Sequence, residues 1–460
     1  MSEIHSITLQ GFKSILEPQT LVLKPLTIIS GTNSAGKSSF MQAVLLLKQS
    51  VDSPYDSGEI KVNGSNVKFN DVNQMLSNID GKRSKNFKIS FDVSDHDFDL
   101  DTETVKKTRY NVSCEYGKEN NSGLMIKSID IDDYSSERPI SLNSKSKEIS
   151  GPALSRLSEM GVLGVFYDVM SKREKPADSY WTVVPRKCFF NVEYKIGKDT
   201  INSGLNICSA INDFCSELIH LPGLRGNPER TYEKIAMFDS FPGTFEKYTA
   251  SVIFNWLNKK QKRNVKKLEK DISFLGLGNN VEVRYVDDAN LEICISKLPV
   301  TIQSRNVSVV NDDPDMLVSI ADVGFGVSQA LPILVALIVA KRGQVVYIEQ
   351  PEIHLHPRAQ ANLVKPLIEA SSRGVRVIIE THSSILLRAL QTAVARDEIK
   401  SDDLSLNWFS RNKNGSTKIT TEIVDEFGAF GEWPVDFDDV YLKAENEYLD
   451  AVEQKYEKNR

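Results

Sequence analysis

The chain has 460 residues, 40% hydrophobic and 26% charged, a balance that excludes a disordered polymer and supplies enough apolar mass for two or three lobes with real cores. Its 56 basic and 62 acidic residues leave a net charge of -6, which excludes a surface coated in nucleic-acid-binding charge and permits only a local basic groove. The five cysteines, Cys114, Cys188, Cys208, Cys215 and Cys294, are scattered with no C-x-x-C pair, a pattern of reduced thiols and not of a disulfide framework.

The first ten residues alternate polar and apolar, so they read as a strand and not as a secretory leader, and a cytoplasmic location is expected. A second apolar run, Leu26-Thr27-Ile28-Ile29, leads into Gly31-Thr32-Asn33-Ser34-Ala35-Gly36-Lys37-Ser38, which fits G-x-x-x-x-G-K-[ST]. A helix-like run follows, Ser39 to Leu47, and strand, loop and helix in that order are the setting the motif requires. In such a loop Gly31 and Gly36 let the backbone N–H groups of Asn33, Ser34, Ala35, Gly36 and Ser39 face phosphate. Lys37 reaches the β/γ-phosphates of ATP and the Ser38 hydroxyl sits on Mg²⁺.

Phe87 to Val93 alternates as a strand, and residues 118–150, rich in Asn, Ser, Asp and Lys, read as exposed loop up to a lobe boundary near Gly151. Helices are predicted over Leu154 to Met170 and Leu205 to Leu218, and strands near Val281 to Val286 and Leu291 to Ile295. The densest basic segment, Lys259 to Lys270, reads either as a solvated helix face or as a phosphate contact for DNA or RNA. The run Ala330 to Ala340 is too short to span a bilayer and reads as a buried helix, so no membrane partner is expected.

Two late β-branched runs, Val345 to Ile348 and Val375 to Ile379, end in polar residues, as buried parallel strands do at the edge where ligands bind. The first delivers Glu349-Gln350-Pro351-Glu352, with Glu349 where a Walker B acid holds Mg²⁺. The second delivers Glu380-Thr381-His382, with His382 where a switch histidine meets the γ-phosphate. Roughly three hundred residues separate loop and Walker B, too many for a compact nucleotide-binding domain, so additional lobes must lie between. The pair His354 and His356 lacks the further ligands a metal site needs.

The order Walker A, long insertion, Asp322-Val323-Gly324-Phe325-Gly326-Val327-Ser328-Gln329, Walker B and switch histidine resembles the ABC-type ATPases of the SMC, RecF and overcoming-lysogenization-defect group. Ile4 to Ser14 is similar to the first strand of that group. Glu349-Gln350-Pro351-Glu352-Ile353-His354-Leu355-His356-Pro357, Leu221 to Arg230 and Gly431-Glu432-Trp433-Pro434 look like a bacterial branch found in anti-phage loci, of the Septu-like or PARIS-like kind. The resemblance implies an α/β fold, an ABC-type head with a P-loop core and a β-rich arm plus an inserted mixed lobe. It divides the chain into an N-terminal half-head (residues 1–115), the inserted lobe (116–300), a C-terminal half-head (301–400) and an extension (401–460).

In the resembled group a signature at a helix N-terminus meets the nucleotide held by the opposite subunit. Here Gly324, Gly326, Ser328 and Gln329 are the matching candidates, ahead of the helix from Ala330, and they imply a homodimer or larger oligomer. Relatives place a second acid after the Walker B position, where this chain has Gln350. An amide cannot accept the proton, so turnover is expected to be slow, with Glu352 or Glu380 as the remaining carboxylates. Relatives of the lysogenization-defect type append a nuclease domain of roughly a hundred residues after the switch histidine. The segment after His382 is shorter than that, and a nuclease or toxin effector is expected as a separate polypeptide. A RecF-like DNA clamp and a nucleotide-sensing regulator without a nuclease partner remain the other readings. Tyr441 to Tyr456 forms an amphipathic stripe that packs on the core or docks a partner.

Overall fold

The computed structural model describes residues 2–56, 58–99, 104–118, 123–134, 138–144, 148–160, 176, 178–236, 240–296, 317–431 and 446–452. Two six-stranded sheets organise it. The arm sheet is antiparallel, in the order Gln19–Val22, Glu3–Gln10, Asn86–Asp99, Thr104–Lys118, Leu124–Asp132, Ile140–Asn143. The core sheet runs Ile219–Leu221, Val345–Glu349, Arg376–Glu380, Leu26–Gly31, Leu404–Arg411, Thr417–Glu422; only its last strand is antiparallel.

The central strands Val345–Glu349, Arg376–Glu380 and Leu26–Gly31 are mostly apolar and buried because both faces are covered, as parallel sheets require. Alternate residues divide between two clusters. Ile29, Val345, Tyr347, Ile378 and Phe409 share one with the arm sheet and the phosphate-loop helix Lys37–Val51. Leu26, Ile28, Val346, Ile348, Val377 and Ile379 share the other with the helices Thr249–Asn258, Phe325–Val339, Pro357–Ser372 and Ser384–Ala395. The phosphate-loop helix thus has apolar neighbours on most of its circumference. Even Lys48 is fully buried, paired to Asp52 at 2.9 Å and donating to the Phe241 carbonyl at 3.3 Å. The five cysteines are free and buried. Among the described residues no helix is long and apolar enough to cross a membrane.

Several elements depart from the sequence reading. The polar stretch 118–150, expected as loop, carries the arm strands Leu124–Asp132 and Ile140–Asn143, because its sparse apolar residues, Leu124, Ile126, Ile129, Ile131, Ile140 and Leu142, all face the core. The helix expected from Leu205 begins at Ser209, after the strand Asp199–Asn206. The helix at Leu154 is Gly151–Glu159, and 161–175 lie outside the described residues. The helix expected from Ala330 starts at Phe325, so Ser328 and Gln329 lie inside it and not ahead of it. Of the C-terminal stripe, residues 446–452 are helical, with Tyr448 and Leu449 exposed.

Gly31 has φ 142°, and a Cβ there would lie 2.1 Å from the Phe409 carbonyl oxygen, which is backbone and cannot yield. Gly31→Ala is therefore expected to destabilise the fold by about 2 kcal/mol or more, read as a lowered thermal midpoint. An unchanged midpoint would contradict the close packing of these two strands.

Candidate nucleotide site

The phosphate loop is braced from the side of the last two core strands. Thr417 Oγ1 donates to the Ala35 carbonyl at 2.7 Å and lies 2.8 Å from Ser14 Oγ, while Arg411 Nε donates to the Ser34 carbonyl at 2.8 Å. Gly36 is left-handed at φ 104°, and a Cβ on it would meet Thr417 Oγ1 at 2.4 Å. The helix that follows has no side-chain cap at Gly36 and no acid in its first turn. Its leading N–H groups and its dipole are thus left for an anion. Lys37 Nζ lies over the loop, donating to the Gly31 and Thr32 carbonyls at 3.1 and 2.7 Å. Burial lowers its pKa against the opposing pull of Glu380.

Over this loop opens a cavity of about 510 Å³ lined by residues 33–39, Gln350, Glu380, His382 and Arg411. The parallel register sets Glu349 beside Glu380 at the strand ends. Ser38 Oγ donates to Glu380 Oε1 at 2.6 Å, and Tyr347 Oη donates to Glu380 Oε2 at 2.9 Å. Glu349 is held from the other side, accepting from Gly223 N at 3.1 Å and facing His220 Nε2 at 3.1 Å. The carboxylate on the loop serine is therefore Glu380, which the sequence showed only as a nearby acid. Glu349, the expected Mg²⁺ partner of Ser38, turns toward His220.

Environment separates the two acids. Burial raises Glu380, and Glu349 adds to the rise; the Ser38 and Tyr347 hydrogen bonds and Lys37 offset this only in part. Burial also acts on Glu349, but hydrogen bonding to His220, the Gly223 amide and the Arg225 charge outweigh it and leave its pKa lowered. Glu352 sits behind His382. Its Oε1 accepts from His382 N at 2.8 Å, its Oε2 is buried without a partner, and burial raises its pKa. His382 has its pKa lowered by burial and by Lys37. Gln350 is left-handed, φ 43°, with its N–H on the Glu380 carbonyl at 2.7 Å.

The donors fit Mg-ATP. The loop presents amides and a lysine for phosphate, and Ser38 with Glu380 lines the cavity with oxygens of the kind Mg²⁺ shares with phosphate, while Glu349 stands at the neighbouring strand end outside that lining. Among the described residues no group of three His, Cys, Asp or Glu holds a metal unaided. His354 instead packs its ring against Phe325 at 5.5 Å, and His356 caps the helix Pro357–Ser372.

The signature candidates are not in this cavity. Gly324 and Phe325 are exposed at their helix N-terminus, whose first turn carries no acid. Gly326 backs onto the His354 carbonyl, where a Cβ would sit at 3.0 Å. Ser328 is buried and donates to the Phe325 carbonyl at 2.9 Å, and Gln329 is buried and donates to the Gly226 carbonyl at 3.0 Å. Both side chains are spent inside the chain, leaving the exposed backbone of Gly324 and Phe325 as the available end.

Sequence reasoning missed His220 and Arg411 and offered Arg225 and Arg230 only within the Leu221 to Arg230 run of the resemblance. Arg225 is buried, donates to the Glu349 carbonyl at 3.1 Å and the Gln350 carbonyl at 3.4 Å, and has its pKa lowered to about 10 by burial. Arg230 pairs with Asp322 through two contacts, 3.1 and 2.8 Å. The Leu221 to Arg230 run therefore straps the end of the strand Val345–Glu349 to Asp322, ahead of the helix Phe325–Val339. Its Pro/Gly-rich composition signals only a turn.

The profile of the AAA ATPase domain family matches residues 3–161 and 224–387, and the chain belongs to that family. Comparison with curated proteins gave no match. Among solved structures, the SMC head domain from Thermotoga maritima is 11% identical, with 91% of this chain and 98% of that one covered, at a TM-score of 0.39. The Smc head domain with an extended coiled coil bound to the C-terminal domain of ScpA, derived from Pyrococcus furiosus, is 12% identical over 92% and 96%, at 0.45. An SmcHead bound to the C-winged helix domain of ScpA is 12% identical over 91% and 97%, at 0.47.

Two outcomes are expected. Lys37→Ala abolishes ATP binding in equilibrium dialysis, whereas the Ser38→Ala defect shrinks in excess Mg²⁺; a Ser38→Ala defect indifferent to Mg²⁺ would remove that serine from the metal. Because the folded pKa of Glu352 is raised, its contribution to stability is present below the ordinary glutamate pKa and lost as pH rises through the folded value. Glu352→Gln should therefore raise the melting temperature of the nucleotide-free protein at pH 7, with the gain fading as pH falls toward 4.

Proposed function

We propose that this AAA ATPase domain protein is an ATP-gated, slowly hydrolysing ABC-type switch of the bacterial cytoplasm that scaffolds and controls a separate nuclease-type effector in anti-phage defence. The observation that carries the switch reading is Gln350. It lines the phosphate-loop cavity directly after the Walker B acid, where a water-activating carboxylate stands in relatives of the resembled group. An amide there can hold water by hydrogen bonds and cannot take its proton, a loss that costs about 10²- to 10⁴-fold in rate. Glu352, with its raised pKa and unpartnered oxygen, and Glu380 are the carboxylates left to compensate.

The separation of phosphate loop and signature end supports a head-to-tail homodimer with ATP held between subunits. Gly324 and Phe325 present a helix N-terminus outward, away from their own chain's cavity. Partner contact is assigned to the parts of residues 116–300 outside the arm sheet and the core strand Ile219–Leu221. The defence assignment rests on the likeness of Glu349 to Pro357 and of Leu221 to Arg230 to that bacterial branch. A second reading, direct DNA binding of the RecF kind, draws on the helix Lys262–Leu275. There Lys262, Arg263, Lys266 and Lys270 are exposed while Lys267 is used in pairs with Asp271 and Glu369.

Steady-state hydrolysis tests the switch. The wild type is expected to turn over well below once per second and Gln350→Glu at least about tenfold faster. ATP with Mg²⁺ should shift the wild-type mass to a dimer in light scattering. A fast wild type unaffected by Glu352→Gln or Glu380→Gln would refute the slow-switch reading. Tight duplex binding abolished by Lys262→Glu with Lys266→Glu would favour the DNA clamp.

A further inference from the structure

His220 is buried beside the Walker B acid without lining the nucleotide cavity. It lies on the edge strand Ile219–Leu221, in register with Tyr347, and its ring stacks on the Tyr347 ring at 5.5 Å and 10°. Glu349 is two residues beyond Tyr347 on the same strand, hence on the same face. The imidazole Nε2 faces Glu349 Oε1 at 3.1 Å, and Nδ1 faces Asn66 Nδ2 at 3.0 Å.

Asn66 decides which ring nitrogen carries the hydrogen. Its Nδ2 also lies 3.0 Å from the Gly243 carbonyl oxygen, which can only accept, so the atom at this position is the amide nitrogen. Its second hydrogen goes to Nδ1. Nδ1 accepts, Nε2 carries the hydrogen, and that hydrogen is aimed at the carboxylate. The other tautomer would set a ring lone pair against Glu349. Asn66 is itself fixed: the next residue, Val67, donates its N–H to Gln49 Oε1 of the phosphate-loop helix at 3.0 Å. A relay of Gln49, the 64–67 turn, Asn66 and His220 thus joins the Walker A helix to the Walker B acid.

We propose that His220, locked as the Nε2–H tautomer by Asn66, is a positioning residue that orients Glu349 for the Mg²⁺-nucleotide. The inference rests on the reading of Glu349 as a Mg²⁺ residue given above. It makes the outer partner as important as the acid, because groups that orient a metal-binding side chain typically set about 10- to 100-fold in metal affinity. Without His220, Glu349 keeps the Gly223 N–H on Oε2 and loses the imidazole donor on Oε1.

The test uses the full chain labelled with ¹⁵N-histidine, which gives only six imidazoles to resolve. His220→Phe, which keeps the stack on Tyr347, identifies the His220 signals by their loss. The expected spectrum has a protonated Nε2 and an accepting Nδ1; a protonated Nδ1 with a bare Nε2 would overturn the proposal. In parallel, MgCl₂ is titrated against retention of a fluorescent ATP analogue. His220→Phe should shift the Mg²⁺ midpoint upward by about 10- to 100-fold with Mg²⁺-free binding unchanged. His220→Gln, which returns an amide donor near the Nε2 position, should recover most of it. A wild-type midpoint in His220→Phe would overturn the proposal and leave the ATPase reading standing. Wild-type retention indifferent to Mg²⁺ would overturn that reading and this inference with it. If His220→Phe fails to fold, Asn66→Ala, at a half-buried turn, carries the same comparison: a raised midpoint supports the relay and an unchanged one sinks it.

Discussion

The site depends on the register of three adjacent parallel strands, Val345–Glu349, Arg376–Glu380 and Leu26–Gly31. Their pairing sets Glu349 opposite Glu380, and Glu380 opposite Ile29, two residues before the phosphate loop begins. Because side chains alternate between faces, a slip of one residue would turn the carboxylates away from the phosphate-loop helix and into the apolar cluster on the opposite face. The apolar division of these strands between two cores forbids that slip. Burial of Val346, Ile348, Val377 and Ile379 on one side is what keeps the acids on the other. The chemistry at the strand ends is held by hydrophobic packing far longer than the site itself.

Two carboxylates side by side in a partly dry sheet repel, and the structure answers with separate tethers. Ser38 and Tyr347 hold Glu380, while Gly223 and His220 hold Glu349, and the surroundings move their pKa values in opposite directions. Such divergence between neighbouring acids marks a division of roles. Hydrogen bonds to a charged group each contribute about 1.5–3 kcal/mol, so four of them are comparable to the cost of burying the pair. Removing one tether leaves a buried charge short of a partner, which is costlier than the bond alone suggests.

The loop from Leu221 to Arg230 ties these acids to Asp322 and to Gln329 of the helix Phe325–Val339. Gly223 touches Glu349, Arg225 fills the carbonyls of Glu349 and Gln350, Gly226 receives Gln329, and Arg230 grips Asp322. These contacts run as a continuous polar path from the end of the strand Val345–Glu349 to Asp322, just ahead of the helix N-terminus at Gly324. Arg225 is suited to this because its planar guanidinium satisfies several carbonyls at once.

The glycine-rich loop, its helix, the strands Val345–Glu349 and Arg376–Glu380 and the buried helix through Ala330 to Val339 were all legible in the sequence, because each is a local pattern: glycines with a lysine, β-branched runs, a long apolar stretch. Gln350 was legible too, as an amide following an acid in one short motif. The arm strands at Leu124 and Ile140 were not, because their apolar residues are few and sit in a polar background that reads as loop. The start of the helix at Phe325 was also missed, since Gly324 and Gly326 precede the apolar run from Ala330 and glycine is a poor helix former, whereas in the structure the helix already runs through Gly326, which lies against the His354 carbonyl. Which acid meets Ser38, which imidazole nitrogen faces Glu349, and that Arg411 reaches the loop from a strand far along the chain were decided by tertiary structure alone. Those contacts join residues more than a hundred positions apart, and a one-dimensional pattern records residue types and local spacing, while the register that brings distant residues together is set by burial over the whole sheet.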